Sequence, residues 1–155
     1  MRKINNPFFG MESFNCFGCS PTNKNGLKMD FFEDGDYVIC NWKPKNYFAG
    51  YKNVLHGGIQ ATLVDEVASW TIFTKAKTAG VTSEISIKYK KPVYLDEKKI
   101  VIKGKIRKID KKFAVIQTQI FNSSEQLCSE ADVTYYIYPR EVAEKKLGFP
   151  DFKKF

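Results

Sequence analysis

The sequence predicts an α+β fold: an antiparallel sheet of about six strands wrapped around one long central helix. Three observations carry this expectation. Only one segment, from Gly57 or Gly58 to Lys77, is long and apolar enough for a buried helix, and it stops near Gly80. Several other segments alternate apolar and polar residues with a period of two, the pattern of strands with one buried and one wet face. Short runs rich in Gly, Asp, Asn and Ser separate them. A sheet with one apolar face must bury it against something, and the single helix is the one large partner on offer.

Residues 1–26 are rich in Asn, Gly, Pro and Phe and read as an irregular lead-in to a domain spanning residues 27–139. Residues 27–32 and 37–42 form two short strands, joined by the turn residues Glu33-Asp34-Gly35-Asp36. A loop carrying Pro44, Tyr47, Phe48, Gly50 and Tyr51 then leads to the helix. After it, residues 82–90 place Ile85, Ile87 and Tyr89 on one face and Glu84, Ser86 and Lys88 on the other. Residues 100–109 repeat the pattern, with Ile100, Ile102 and Ile106 against Lys103, Lys105 and Arg107. Residues 114–121 and 127–138 complete the strands, with turns at Asp110-Lys111-Lys112 and Asn122-Ser123-Ser124. Residues 140–155 form a short, charged tail.

A chain of 155 residues is most simply one domain with room for a real core. Hydrophobic residues at 43% and charged residues at 27% are ordinary for a soluble globular protein. The N-terminal run Met1-Arg2-Lys3-Ile4-Asn5-Asn6-Pro7 has no continuous apolar stretch, so no secretory leader is expected. No segment has the length and apolarity of a membrane span. A cytoplasmic location with no membrane partner is the expectation.

Cys16 and Cys19 form a C-x-x-C, which invites a metal or redox reading. No second such pair follows, the one histidine lies far downstream, and no βαβ unit frames the pair. The preferred reading is two small side chains in a tight turn, with no metal and no cofactor expected.

At 100° steps the helix has two faces. Ile59, Leu63, Val67 and Trp70, with Val64 nearby, should fill the core. Gly58, Ala61, Thr62, Asp65, Ser69, Ile72 and Ala76 share the other side, a mostly small stripe that another backbone or an extended ligand can approach. Asp65 lies in its middle, and a carboxylate there is costly to bury unless it has partners or a task. Glu66 points about 100° away, towards the edge of the core face, and reads as a structural pair or a solvated group.

The run Leu55-His56-Gly57-Gly58, followed two turns on by Asp65, resembles the hot-dog-fold thioesterases, specifically the phenylacetyl-CoA-thioesterase type. Cys16-Phe17-Gly18-Cys19 with Asn25-Gly26-Leu27, the strand start Val81-Thr82-Ser83, and Lys91-Pro92-Val93 are similar to that family in the same order. The resemblance implies the hot-dog fold and hydrolysis of a fatty or aromatic acyl-CoA. It implies a carbonyl polarised by the backbone of Gly57 or Gly58, with His56 fixing that corner or touching the thioester. It makes Asp65 the nucleophile or general base, and Thr82, or failing it Ser83, the hydroxyl that holds the water. Some relatives carry Asn six residues before the His; Gly50 stands there in this chain.

Gly57 and Asp65 are eight residues apart, so about 12 Å separates them along the helix axis. If both act on one carbonyl, the second must come from another chain. A homodimer is therefore expected to be part of the mechanism, as in hot-dog relatives that pair helices antiparallel, with a dimer of dimers also compatible.

The net charge of +8 is concentrated between Lys88 and Lys112. It reads either as a solvated outer sheet face or as an anion-attracting surface. No nucleic-acid motif accompanies it, so coenzyme A phosphates rank above nucleic acid, with Lys90 and Lys91 as candidate contacts. The rival functions are a non-catalytic acyl-CoA-binding module, for which Gly50 is mild support, and a hot-dog dehydratase or hydratase, which needs a His and carboxylate pair.

Overall fold

In the computed structural model, which describes residues 1–155, helix α1 (Gly57–Thr71) packs on one face of a single seven-stranded sheet. The strands are β1 (Arg2–Lys3), β2 (Phe32–Asp34), β3 (Tyr37–Trp42), β4 (Gly80–Tyr89), β5 (Ile100–Ile109), β6 (Phe113–Phe121) and β7 (Leu127–Ile137). They lie side by side in the order β1-β2-β3-β5-β6-β7-β4, every neighbouring pair antiparallel. A short helix α2 (Arg140–Leu147) follows β7. This is the expected α+β hot-dog architecture, one long helix against an antiparallel sheet.

The helix seats where its side chains demand. Leu63, Val64, Val67 and Trp70 are fully buried against Val38 and Cys40 of β3, Ile100 and Ile102 of β5, Ile116 and Ile120 of β6, and Val133 of β7. Each such side chain contributes about 1.5–3 kcal/mol through burial. Gly104 in β5 allows the close approach: a Cβ there would lie 2.8 Å from Val67 Cγ1. At the far end of α1, Trp70 stacks on Phe31 at 4.4 Å between ring centroids and meets Phe155 of the tail at 5.7 Å. The segments flanking residues 27–139 thus enter the same core, through Ile4 on one side and Ala143, Phe149 and Phe155 on the other.

Four expectations change. Residues 27–31 are not a sheet strand: their amides turn inward, Leu27 to Phe17 O and Met29 to Gly18 O, and Lys28 adopts φ +54°. The sheet pairing begins at Phe32, and β1 from the lead-in adds a seventh strand beside it. The α-helix ends at Thr71 and continues as one π-helical turn, Ile72–Ala76, before Lys77 closes it in the left-handed region. Ile72, where the two join, is buried in the core instead of joining the small stripe. Finally, the apolar side of β4 is only partly covered by this chain: Ile87 packs against the core, while Val81, Ile85 and Tyr89 are exposed. β4 is also an edge strand, paired only with β7. No helix is long and apolar enough to cross a membrane.

Candidate active site

The start of α1 has one backbone donor to spare. His56 is the N-cap residue, and its Nδ1 accepts a 2.8 Å hydrogen bond from the Gly58 N–H. The His56 carbonyl accepts from Ile59 and Gln60. The Gly57 N–H donates to nothing within the chain. Of the two glycines read as electrophilic donors, Gly58 is therefore occupied and Gly57 is free, at the positive end of the helix dipole. Because Nδ1 of His56 accepts, the neutral ring carries its proton on Nε2, as a second donor at this corner.

Two side chains from the sheet hold the corner in place. Tyr89 of β4 donates from its hydroxyl to the Gly57 carbonyl at 2.7 Å, and burial raises its phenol, keeping it a donor. Gln60, buried, accepts from Ser129 Oγ at 2.6 Å and donates to the Leu55 carbonyl at 3.4 Å, tying the first turn to β7. Gly50 packs on the cap: a Cβ there would sit 3.2 Å from His56 Cα. The glycine in place of the family's Asn thus goes with a close loop-to-cap contact. A cavity of about 680 Å³ opens here, lined by His56, Gly57, Gln60, Tyr89, Lys90 and Lys91 among others. Lys90 pairs with Glu130 at 2.9 Å, whereas Lys91 has no acidic partner within the chain. Much of the remaining basic stretch lies on the outer sheet face, with Arg107 paired to Asp132 and Lys103 over the Phe121 ring.

Asp65 is half-buried two turns further on. Its Oδ1 accepts from Thr82 Oγ1 at 2.9 Å and from the Tyr135 hydroxyl at 2.8 Å, while Oδ2 has no partner in the chain. Tyr135 also donates to the Asp65 carbonyl at 3.1 Å. Burial, with the Asp65 charge adding to it, pushes the Tyr135 phenol well above its ordinary range, so it stays a donor. Thr82 reaches Asp65 through a register shift between Thr82 and Glu84 against β7. Ser83 is the extra residue of that bulge, exposed and without a hydrogen bond to the site, so Thr82 and not Ser83 meets the carboxylate.

The expected residues therefore fall into two groups on one chain. His56, Gly57, Gly58, Lys90 and Lys91 surround the helix start, while Asp65 and Thr82 meet two turns away and do not line that cavity. Tyr89 and Tyr135 were not anticipated; each sits in an ordinary alternating strand, and only their place in the register distinguishes them. Trp70 is buried in the core with Phe73 packed against it, while Phe48 and the exposed Tyr47 border a smaller cavity of about 300 Å³ beside Gly58 and Ile59. Glu66 is half-buried: it accepts from Trp70 Nε1 at 3.1 Å and from Cys16 at 3.5 Å, and burial pushes its carboxyl up to about 7.

Residues 52–129 match the family model of the thioesterase superfamily. A provisionally named esterase of Saccharolobus solfataricus is 27% identical over 124 residues, covering 79% of this chain and 81% of that protein. Human acyl-coenzyme A thioesterase 13 is 32% identical over 88 residues, which is 56% of this chain and 62% of the human protein's length. Among solved structures, a hypothetical thioesterase protein from Streptococcus pneumoniae, crystallised with coenzyme A, superposes with a TM-score of 0.67 at 24% identity, covering 72% of this chain and 90% of that one. That likeness is one of fold.

Proposed function

The chain belongs to the thioesterase superfamily and is a thioester hydrolase, and we propose that its substrate is a fatty or aromatic acyl-CoA attacked at a site shared between two copies. The acyl carbonyl sits at the start of α1, its oxygen taking the free Gly57 N–H, with His56 Nε2–H as a neighbouring donor. Asp65 of the second copy supplies the open Oδ2. It either attacks the carbonyl directly, forming a mixed anhydride that water then cleaves, or removes a proton from a water that attacks. Thr82 and Tyr135 hold Oδ1, so the carboxylate turns its free oxygen to the substrate. Coenzyme A leaves as the thiolate and takes up the proton that the attacking water gives up, its phosphates drawn to Lys91 and Lys90.

One observation carries this reading: an unused donor at Gly57 and an unused acceptor on Asp65, eight residues apart on one helix, or about 12 Å. Neither side chain nor backbone spans that gap, so a second copy must bring the two together. The uncovered β4 edge, with Val81, Ile85 and Tyr89 exposed beside both groups, supports a homodimer, and a dimer of dimers is compatible with it. The dehydratase reading loses support because the His56 nitrogen that would act as a base is spent on the Gly58 cap. A thiol-release assay across short, long and aromatic acyl-CoAs tests the proposal. Turnover of at least one class is expected, and tight binding of all of them without release would leave the non-catalytic acyl-CoA module instead.

A further inference from the structure

The loop Cys16-Phe17-Gly18-Cys19 closes on α1 at Glu66, one 100° step round the helix from Asp65. Its two thiols and the Glu66 carboxylate bring their donor atoms within 4.8 Å of one another, with Cys16 Sγ 3.5 Å from Glu66 Oε1. Gly18 is what lets the loop settle there, since a Cβ at that position would lie 2.5 Å from Glu66 Cδ and Oε2. Cys19 is buried and Cys16 half-buried. No Lys, Arg or His pairs with Glu66: all five ion pairs of the chain lie elsewhere. Two thiols and a carboxyl thus share a half-buried site in which the one neutral partner from outside is the Trp70 indole N–H. Desolvation favours the protonated form of such a carboxyl, and a bound cation would take the place of that proton.

We propose that Cys16, Cys19 and Glu66 form a binding site for one thiophilic divalent cation, with Zn2+ the best chemical match. Two thiolates and one carboxylate are a ligand set that zinc accepts in tetrahedral geometry, with water in the fourth position. Calcium and magnesium, which want all-oxygen shells, are poorly matched. The C-x-x-C supplies two ligands, and the third arrives from the helix, where no linear spacing reveals it. The cation would pin the N-terminal loop to α1 beside the residue following Asp65. Its role is that of a cross-link, since Glu66 faces about 100° away from Asp65. The proposal is independent of the acyl-CoA reading.

Co2+ is the probe. The full-length chain, fully reduced and stripped of metal, should take up one equivalent, giving thiolate-to-cobalt charge-transfer absorption in the near ultraviolet and the intense visible bands of a tetrahedral site. One equivalent of Zn2+ should displace it and raise Tm. Cys16→Ser and Cys19→Ser should each remove about half of the charge-transfer intensity, in proportion to the thiolates lost. Glu66→Gln should keep both thiolate bands but weaken affinity by at least about tenfold. Reduced, folded protein that takes up no Co2+ overturns the proposal, as does an absorption spectrum without thiolate bands. Because the wild-type spectrum reads thiolate ligation directly, the proposal stands or falls even if a cysteine variant fails to fold.

Discussion

Asp65 and Glu66 differ by one helix position and one methylene, yet their carboxylates meet opposite surroundings. Asp65 sits on the stripe of small residues beside the edge strand β4, held by one oxygen through two hydroxyls, with the other oxygen open. Glu66, one 100° step round, lies against a buried indole and two thiols, with the loop backbone closed over it. The difference shows what separates a carboxylate placed for chemistry from one placed for architecture. The first is oriented by neutral donors that leave one oxygen free, and the second is turned towards an indole and a thiol that tie it to the loop. Acidity alone does not mark the reactive one, since the group whose carboxyl burial pushes up to about 7 is Glu66. Access and orientation mark it.

The largest expected effect tests the contrast head on. Asp65→Asn keeps size and the fold but removes the nucleophile or base, so kcat should fall by at least about 10²-fold. Glu66→Gln should leave kcat close to wild type. Steady-state kinetics beside a melting curve check both, and the reverse result would exchange the two roles. Next comes the electrophilic half. Gly57 is the first helical residue, where proline is tolerated, and His56 already has the extended backbone that a following proline needs. Gly57→Pro therefore deletes the free N–H with little cost to the helix and should lower kcat by roughly 10²-fold.

A smaller loss sharpens the account of orientation. Tyr135→Phe removes one of the two donors to Asp65 Oδ1, a hydrogen bond to a charged group worth about 1.5–3 kcal/mol. Activity should drop by roughly ten- to a hundredfold while the Asp65 side chain remains. The smallest effect concerns capture. Raising ionic strength should increase KM for acyl-CoA a few-fold with kcat unchanged, because screening weakens attraction to Lys91 and Lys90 and leaves the carbonyl chemistry alone. A kcat that falls with salt would contradict the assignment of those lysines to binding.

Much of this contrast was legible in the sequence, because helix geometry is local. The 3.6-residue period separates Asp65 from Glu66 and sends Leu63, Val67 and Trp70 inward, and both follow from residue order alone. The strands from Ile100 onward were legible for the same reason, since β5, β6 and β7 alternate cleanly. What could not be read depends on partners distant in sequence. Residues 27–31 alternate like a strand but give their hydrogen bonds to the loop at Phe17 and Gly18. Tyr135 and Tyr89 matter only through register: β7 lays Tyr135 opposite Thr82, and β4 carries Tyr89 to the helix start. The choice of Thr82 over Ser83 rests on a bulge, which sequence patterning does not mark. Glu66 meets Cys16 and Cys19 only after the lead-in has folded back.

If one site needs Gly57 from one copy and Asp65 from the other, mixing two inactive variants restores activity. Asp65→Asn chains keep a working helix start, and Gly57→Pro chains keep a working carboxylate. In a mixed dimer one site carries both lesions and the other carries neither. Random exchange makes about half of the dimers mixed, so total thioesterase activity should recover to roughly a quarter of wild type. Tagging one variant and recovering both chains together confirms that exchange has occurred. Recovery to that level is the expected result. Verified mixed dimers with no more activity than the parents, or a fully active monomer, would contradict the shared site.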